Sequence, residues 1–301
     1  MRKNIKICAI IVSYHPTHEI IENVDALVNQ VDEVVIVDNG SGSATKQLLD
    51  NLIKQHSKIN VVFLQENLGI AAALNIGVKK AKAAGYEWLI TFDQDSQVTP
   101  LMIDTMLQAY DEYPKKEKVA SLSPKYKDKN TGRIFGSLLT SSRHDELSYA
   151  ESQQVITSGN LVKLSVFDTV GYFNEALFID YVDYEYCLRC ITQEYKIIEV
   201  KSAVLIHSLG SSTQHKLLWK RPLAFHHSPL RRYYIARNAI YTYKRFFFKH
   251  PVWIIKNAYG LAKNVILIML FENDRKKKLN ATFKGVIDGV LGQMGKCRSP
   301  I

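Results

Sequence analysis

Apolar residues along this chain come in two alternating rhythms. Short runs at 5–12 (IKICAIIV), 33–37 (EVVIV), 59–64 (INVVFL) and 88–92 (WLITF) are rich in β-branched side chains and have the length of strands. Between them, residues 19–30, 44–55 and 70–84 place apolar side chains three and four apart, the spacing of one helix face. Near-continuous apolar strands separated by such helices predict an α/β domain with a mostly parallel sheet covered on both faces. After about residue 118 the alternation is lost, and serine, threonine and lysine increase. The chain shows no internal repeat.

Sheets of this kind hold ligands at the carboxyl ends of their strands. The residues that follow each run are therefore the ones to weigh: Ser13-Tyr14-His15, Asp38-Asn39-Gly40-Ser41 and Asp93-Gln94-Asp95-Ser96. Two carboxylates at i and i+2 leaving a buried strand bring hard oxygen ligands together, a donor set for Mg²⁺ or Mn²⁺ carrying substrate phosphates. The plainer reading makes one aspartate a helix cap and leaves the other solvated. Asp38 likewise has a plain reading as a turn residue before Gly40. Acidic ends on two strands of one sheet shift the balance toward a site.

Composition narrows the class. With 301 residues, 47% hydrophobic and 23% charged, the chain has the material for a full core, which excludes a disordered or low-complexity protein. Four scattered cysteines make no disulfide framework and point to a reducing, cytoplasmic compartment. Cys187-x-x-Cys190 lacks a second pair and reads as core packing. No G-x-G-x-x-G is present, so a nicotinamide dehydrogenase has no support.

Charge is divided along the sequence. The formal total is +10, made of −6 over residues 1–199 and +16 over residues 200–301, with no acidic residue between Glu199 and Glu272. The halves should therefore meet different partners. No nucleic-acid-binding pattern accompanies the basic half. Arg2-Lys3 and the run after them mimic the start of an export signal, but no small-residue cleavage site follows. Residues 252–271 are apolar but broken by Lys256 and Lys263, which predicts an interfacial or packed helix rather than a membrane span.

Several motifs in fixed order carry a family likeness: IVSYHP (11–16), VDNGS (37–41), ENLGIAAALNIG (66–77), FDQDS (92–96), TSGNLV (157–162), GYFNEALFIDYVDYEYCLR (171–189), HSLGSS (207–212) and SPLRRYYIARN (228–238). Over residues 5–240 the chain resembles the inverting GT-A glycosyltransferases of family 2, and within them the bacterial enzymes that use dTDP-L-rhamnose. The resemblance implies a Rossmann-like nucleotide-diphospho-sugar transferase fold over residues 1–243. Residues 1–118 would be its nucleotide-sugar half and 119–243 its acceptor and metal half, followed by a basic helical tail, 244–301.

The resemblance also implies roles. Ser13 and Tyr14 sit where the first strand touches the nucleotide, and Asp38 matches the acceptor for the pyrimidine N3–H. Asn67, Gly69 and Asn75 fall in a nucleotide-facing loop and helix. Asp93 faces the ribose or the metal, while Asp95 is the direct metal ligand. His207, after the apolar run 203–206, takes a metal- or phosphate-facing position. Arg231, Tyr234 and Arg237 belong to a cluster whose guanidinium forks suit a diphosphate. An inverting transfer needs one carboxylate to take the acceptor proton. The family pattern, an acid six positions before an arginine, selects Asp183 before Arg189, with Asp180 and Glu185 as alternatives.

The expected activity is therefore transfer of a deoxysugar, L-rhamnose, from a nucleotide-sugar donor to a lipid-linked saccharide in cell-surface polysaccharide synthesis. A divalent metal, Mg²⁺ or Mn²⁺, would assist. The competing class is a non-catalytic sugar-nucleotide-binding or scaffold protein, which would need none of Asp93, Asp95 and Asp183. In the tail, FFF (246–248), Trp253 and the run 265–271 lie close to Arg275, Lys276, Lys277 and Lys278. That composition predicts peripheral attachment to an anionic membrane at its inner face. The alternative is a hairpin packed on the protein or on a second subunit.

Overall fold

The first strand, β1 (Ile7–Ser13), is buried along nearly its whole length, as its unbroken apolar run requires. It opens a βα series: α1 (Glu19–Val28), β2 (Glu33–Asp38), α2 (Ser43–Gln55), β3 (Ile59–Phe63), α3 (Ile70–Ala83) and β4 (Trp88–Asp93). Then follow β5 (Gln97–Val98), α4 (Met102–Glu112), β6 (Val119–Asp128), β7 (Ile134–Phe135), β8 (Tyr149–Ser152), β9 (Asn160–Lys163), α5 (Val166–Val170), α6 (Val182–Thr192) and β10 (Lys196–His207). The remaining elements are β11 (Ser212–Gln214), β12 (Leu223–Phe225), α7 (Pro229–Phe246), α8 (Pro251–Phe271) and α9 (Arg275–Leu291). This computed structural model describes residues 5–129, 132–136, 147–207, 212–214 and 223–298, with 212–214 and 223–225 as backbone only. Arg2-Lys3 and most of HSLGSS lie outside the described residues.

The main sheet runs β3-β2-β1-β4-β9-β6-β10-β5. Strands β1 to β4 are mutually parallel, β9 is antiparallel to both β4 and β6, and β6 is parallel to β10. Strands β1, β2, β4, β6 and β10 therefore share one direction, and their last residues, Ser13, Asp38, Asp93, Asp128 and His207, share one edge. Strands β7, β8 and β9 all run antiparallel to their neighbours, which is why the βα rhythm fails after residue 118. Helix α3 lies close on β1: a Cβ on Gly77 would sit 2.6 Å from Ile10 Cγ2. The core gathers side chains from β1, β2, β4, β6 and β10 together with α1, α2 and α4.

The chain divides into two compact units, Met1–Glu175 with Val182–Ser208, and Ala176–Tyr181 with Leu209–Ile301. The boundary expected at residue 243 falls inside α7, which is a continuous helix of the second unit. It starts on a Ser228 cap that accepts the Arg231 N–H, with Pro229 in the first turn. Helix α9 crosses α7 at close range through glycines: a Cβ on Gly285 would lie 2.3 Å from the Tyr233 carbonyl oxygen, and one on Gly289 2.6 Å from that of Arg237. Glu272, fully buried after α8, accepts from Arg232 at 2.5 Å and from Lys278 at 2.8 Å. One carboxylate thus joins the start of α7 to the first turn of α9, and losing it would strand two buried cations.

Candidate active site

The common edge of the sheet gathers the polar residues that the strand ends supply. Asp38 is buried and its Oδ1 accepts from the hydroxyls of Ser13 and Ser41, while Oδ2 accepts the Ser41 N–H at 3.0 Å. A carboxylate has about four acceptor positions, so these bonds leave one for a ligand. The Tyr14 ring is exposed beside it, and its N–H donates to Gln94 Oε1 at 2.7 Å. Asn39 and Asn67 join the loops after β2 and β3, with Asn39 Nδ2 donating to Asn67 Oδ1 at 3.2 Å. Asn67 Oδ1 also accepts the Gly69 N–H. Gly40 sits at φ 82° under this junction, where a Cβ would be 2.5 Å from the Glu66 carbonyl carbon. Only glycine fits there.

Across the same edge, Asp93, Asp95 and His207 each offer a ligand atom, all within 4.8 Å of one another. His207 Nε2 is 4.0 Å from Asp93 Oδ2, and Nδ1 is 3.8 Å from Asp95 Oδ1. These gaps exceed hydrogen-bond length. Two carboxylates and an imidazole form a donor set that fits a divalent cation such as Mn²⁺ or Mg²⁺. The ring is held by a 2.8 Å contact between Ser96 Oγ and Nδ1, and Ser158 Oγ donates to Ser96 Oγ at 2.6 Å. Ser158 Oγ also accepts the Asp93 N–H, so one serine pair orients both the acid and the imidazole. His207 arrives by sheet register: β5 runs antiparallel to β10 with Gln97 opposite Ile206. The position before Gln97 therefore faces the position after Ile206.

Asp183 is the second residue of α6, half-buried, and its Oδ1 accepts its neighbour's N–H at 2.8 Å. Burial raises the pKa of Tyr126 strongly, helped by the charges of Glu199 and Asp183. Tyr126 pairs with Leu205, two residues before His207. Glu185 is fully buried and occupied by Arg189 Nε at 2.9 Å, with the rest of that guanidinium on the carbonyls of Val170 and Tyr172. Its carboxylate orients Arg189, which ties α6 to the chain leaving α5.

Some expected ligand contacts are placed differently. Asn75 is buried, with its amide on Phe173 and Glu175: Nδ2 donates to both, and Oδ1 accepts the Phe173 N–H at 3.0 Å. It fastens α3 to that segment rather than facing the edge. In the second unit Arg231 pairs with Asp180 at 3.1 Å, and burial raises the Asp180 pKa against the pull of that cation. Tyr234 is buried with its hydroxyl accepting the Cys297 N–H at 2.7 Å. Arg237 is 1% exposed and donates to the carbonyls of Leu177 and Gly295 while lying over the rings of Tyr233 and Tyr234. Tyr234 and Arg237 hold their unit together, and neither presents its polar group to a diphosphate. Sequence reasoning had not assigned Ser96, Ser158, Gln94 or Asn39. Their only sequence signal was their place inside FDQDS, TSGN and VDNGS.

A mixed sheet whose long strands are mostly parallel, with β9 reversed between β4 and β6, an acidic pair leaving β4 and a histidine leaving β10 make up the GT-A architecture of glycosyltransferases. Similar folds occur in GalNAc-T7 solved with UDP, GalNAc and Mn²⁺ (TM-score 0.64, 14% identity, 97% of this chain and 57% of that one). S. aureus TarS 1–349 with UDP-GlcNAc is also similar (TM-score 0.57, 16% identity, 95% of this chain and 82% of that one). The chain belongs to glycosyl transferase family 2, whose model matches residues 8–163, and it is a glycosyltransferase. It is 29% identical to the dTDP-rhamnosyl transferase RfbF of Shigella flexneri over 96% of this chain and 98% of that protein. It is 25% identical to the poly-beta-1,6-N-acetyl-D-glucosamine synthase of Staphylococcus aureus over 66% of this chain, a match spanning 49% of that synthase.

Proposed function

We propose that the protein transfers L-rhamnose from dTDP-L-rhamnose to a lipid-linked saccharide acceptor, inverting the anomeric centre, in cell-surface polysaccharide synthesis at the inner face of the membrane. The observation that carries this reading is the convergence of Asp93, Asp95 and His207 beside buried Asp38. Full-length similarity to the Shigella flexneri dTDP-rhamnosyl transferase supports the donor. Asp38 accepts the thymine N3–H at its remaining lone pair, and the exposed ring of Tyr14 lies against the base. Asp93, Asp95 and His207 would hold a divalent cation, which would supply charge neutralisation for the departing diphosphate.

Asp183 serves as the base. As the acceptor oxygen attacks the anomeric carbon, its proton passes to the Asp183 carboxylate, the C1–O bond forms, and the bond to dTDP breaks with the electron pair leaving on the phosphate. Glu185 has no part in this because Arg189 occupies it. A donor screen with purified protein tests the reading: dTDP-L-rhamnose should be hydrolysed or transferred in preference to UDP-hexoses, and EDTA should stop turnover. Preference for a UDP-hexose would reassign the donor, and full activity in EDTA would remove the metal.

A further inference from the structure

The basic tail does not behave as one surface. Phe246, Trp253, Ile254, Leu267 and Ile268 are buried in the second unit, and Lys278 is locked on Glu272. What remains outside is still apolar. Twelve of the twenty exposed large hydrophobic side chains among the described residues fall between Phe247 and Leu291. On α8 they form one stripe, because Val252, Ile255, Tyr259, Ile266 and Leu270 recur at helical spacing opposite the packed face. Ile255 is 65% exposed, Tyr259 73% and Phe248, just before the helix, 93%. An ordinary surface helix is polar there, and an apolar patch of this extent marks an interaction surface.

We propose that the outer face of α8, with Phe247 and Phe248 leading into it, lies in the plane of an anionic lipid bilayer. Charge selects this occupant. Lys256 and Lys263 project along one border of the stripe, Lys244, Arg245 and Lys249 precede it, and Arg275, Lys276 and Lys277 follow it. No acidic residue lies between Glu199 and Glu272, and Glu272 itself is buried between two cations. Apolar side chains at the acyl boundary with lysines at headgroup level is the arrangement of an interfacial helix. A second copy seated on the same face would oppose these lysines to their own symmetry mates.

Helix α8 is long and apolar enough to cross a membrane. Crossing would, however, carry Lys256 and Lys263 into the hydrocarbon and strip the packed face from its unit. Lying in the plane leaves both intact. The membrane-side placement proposed above gives this surface its use, but binding is measured here without donor or acceptor, so either idea can fail alone.

Flotation of the full chain with vesicles of phosphatidylcholine, with and without phosphatidylglycerol, decides it. The expected result is recovery with the anionic vesicles, lost at high salt and after alkaline carbonate. Each lysine near an anionic surface strengthens partitioning about five-fold, so Lys256→Gln with Lys263→Gln should weaken it about 25-fold. Ile255→Ser with Tyr259→Ser should abolish it, with an unchanged melting temperature showing that the unit stays folded. Equal recovery on both vesicle types, or none, overturns the proposal. Retention after carbonate overturns it in favour of a crossing helix. A dimer in light scattering that Ile255→Ser dissolves, without flotation of the parent, assigns the face to a second copy.

Discussion

Asp183 and Glu185 stand two residues apart on α6, yet their surroundings separate them. Glu185 is buried and held by Arg189, whereas Asp183 is half-buried in the first turn of the helix. Asp183→Asn keeps the side chain's size and its bond to the Tyr184 N–H while removing the proton acceptor. Donor affinity in calorimetry should survive and kcat should fall by about 10²–10⁴. An unchanged kcat would transfer the base role to another group. Asp95→Ala removes one of three ligand atoms, so turnover should be lost and Mn²⁺ binding weakened while the melting temperature stays near that of the parent. Asp95 is partly exposed and contributes little to the core.

Individual elements explain why these residues meet. Strand β5 pairs antiparallel with the distant β10, and that register alone brings Ser96 to His207 across 111 positions of sequence. Helix α9 depends on a different device. Gly285 and Gly289 let it approach the α7 backbone, so Gly285→Ala, normally worth about 1 kcal/mol of gained helix stability, should instead destabilise. Gly260 on α8 has nothing within 4 Å of an added Cβ, so Gly260→Ala should stabilise by up to about 1 kcal/mol. Chemical denaturation of the two variants compares them directly. Destabilisation in both, or in neither, would contradict this packing.

For the molecule as a whole, pH should act through His227. Burial and the nearby cations Arg231, Arg232, Lys278 and His226 push its pKa down to about 3. Between about pH 6.5 and that value the unfolded chain binds a proton that the folded chain refuses, so stability falls as pH drops through this window. His227→Gln should therefore lose less melting temperature than the parent between about pH 7 and about pH 5. Equal losses would show that other groups set the acid limit. The alternating runs up to residue 93 determined the four parallel strands, their helices and the edge where Asp38, Asp93 and Asp95 emerge. Those features follow from local periodicity, which every segment carries in itself. The reversed β9, the Ser96–Ser158 support for His207, the burial of Asn75 and Arg237, and the boundary inside the 171–189 motif were decided only by tertiary structure. Each depends on which distant segment lies alongside, and neither a side chain's type nor its spacing states whether its donors will meet a ligand or a neighbouring backbone carbonyl.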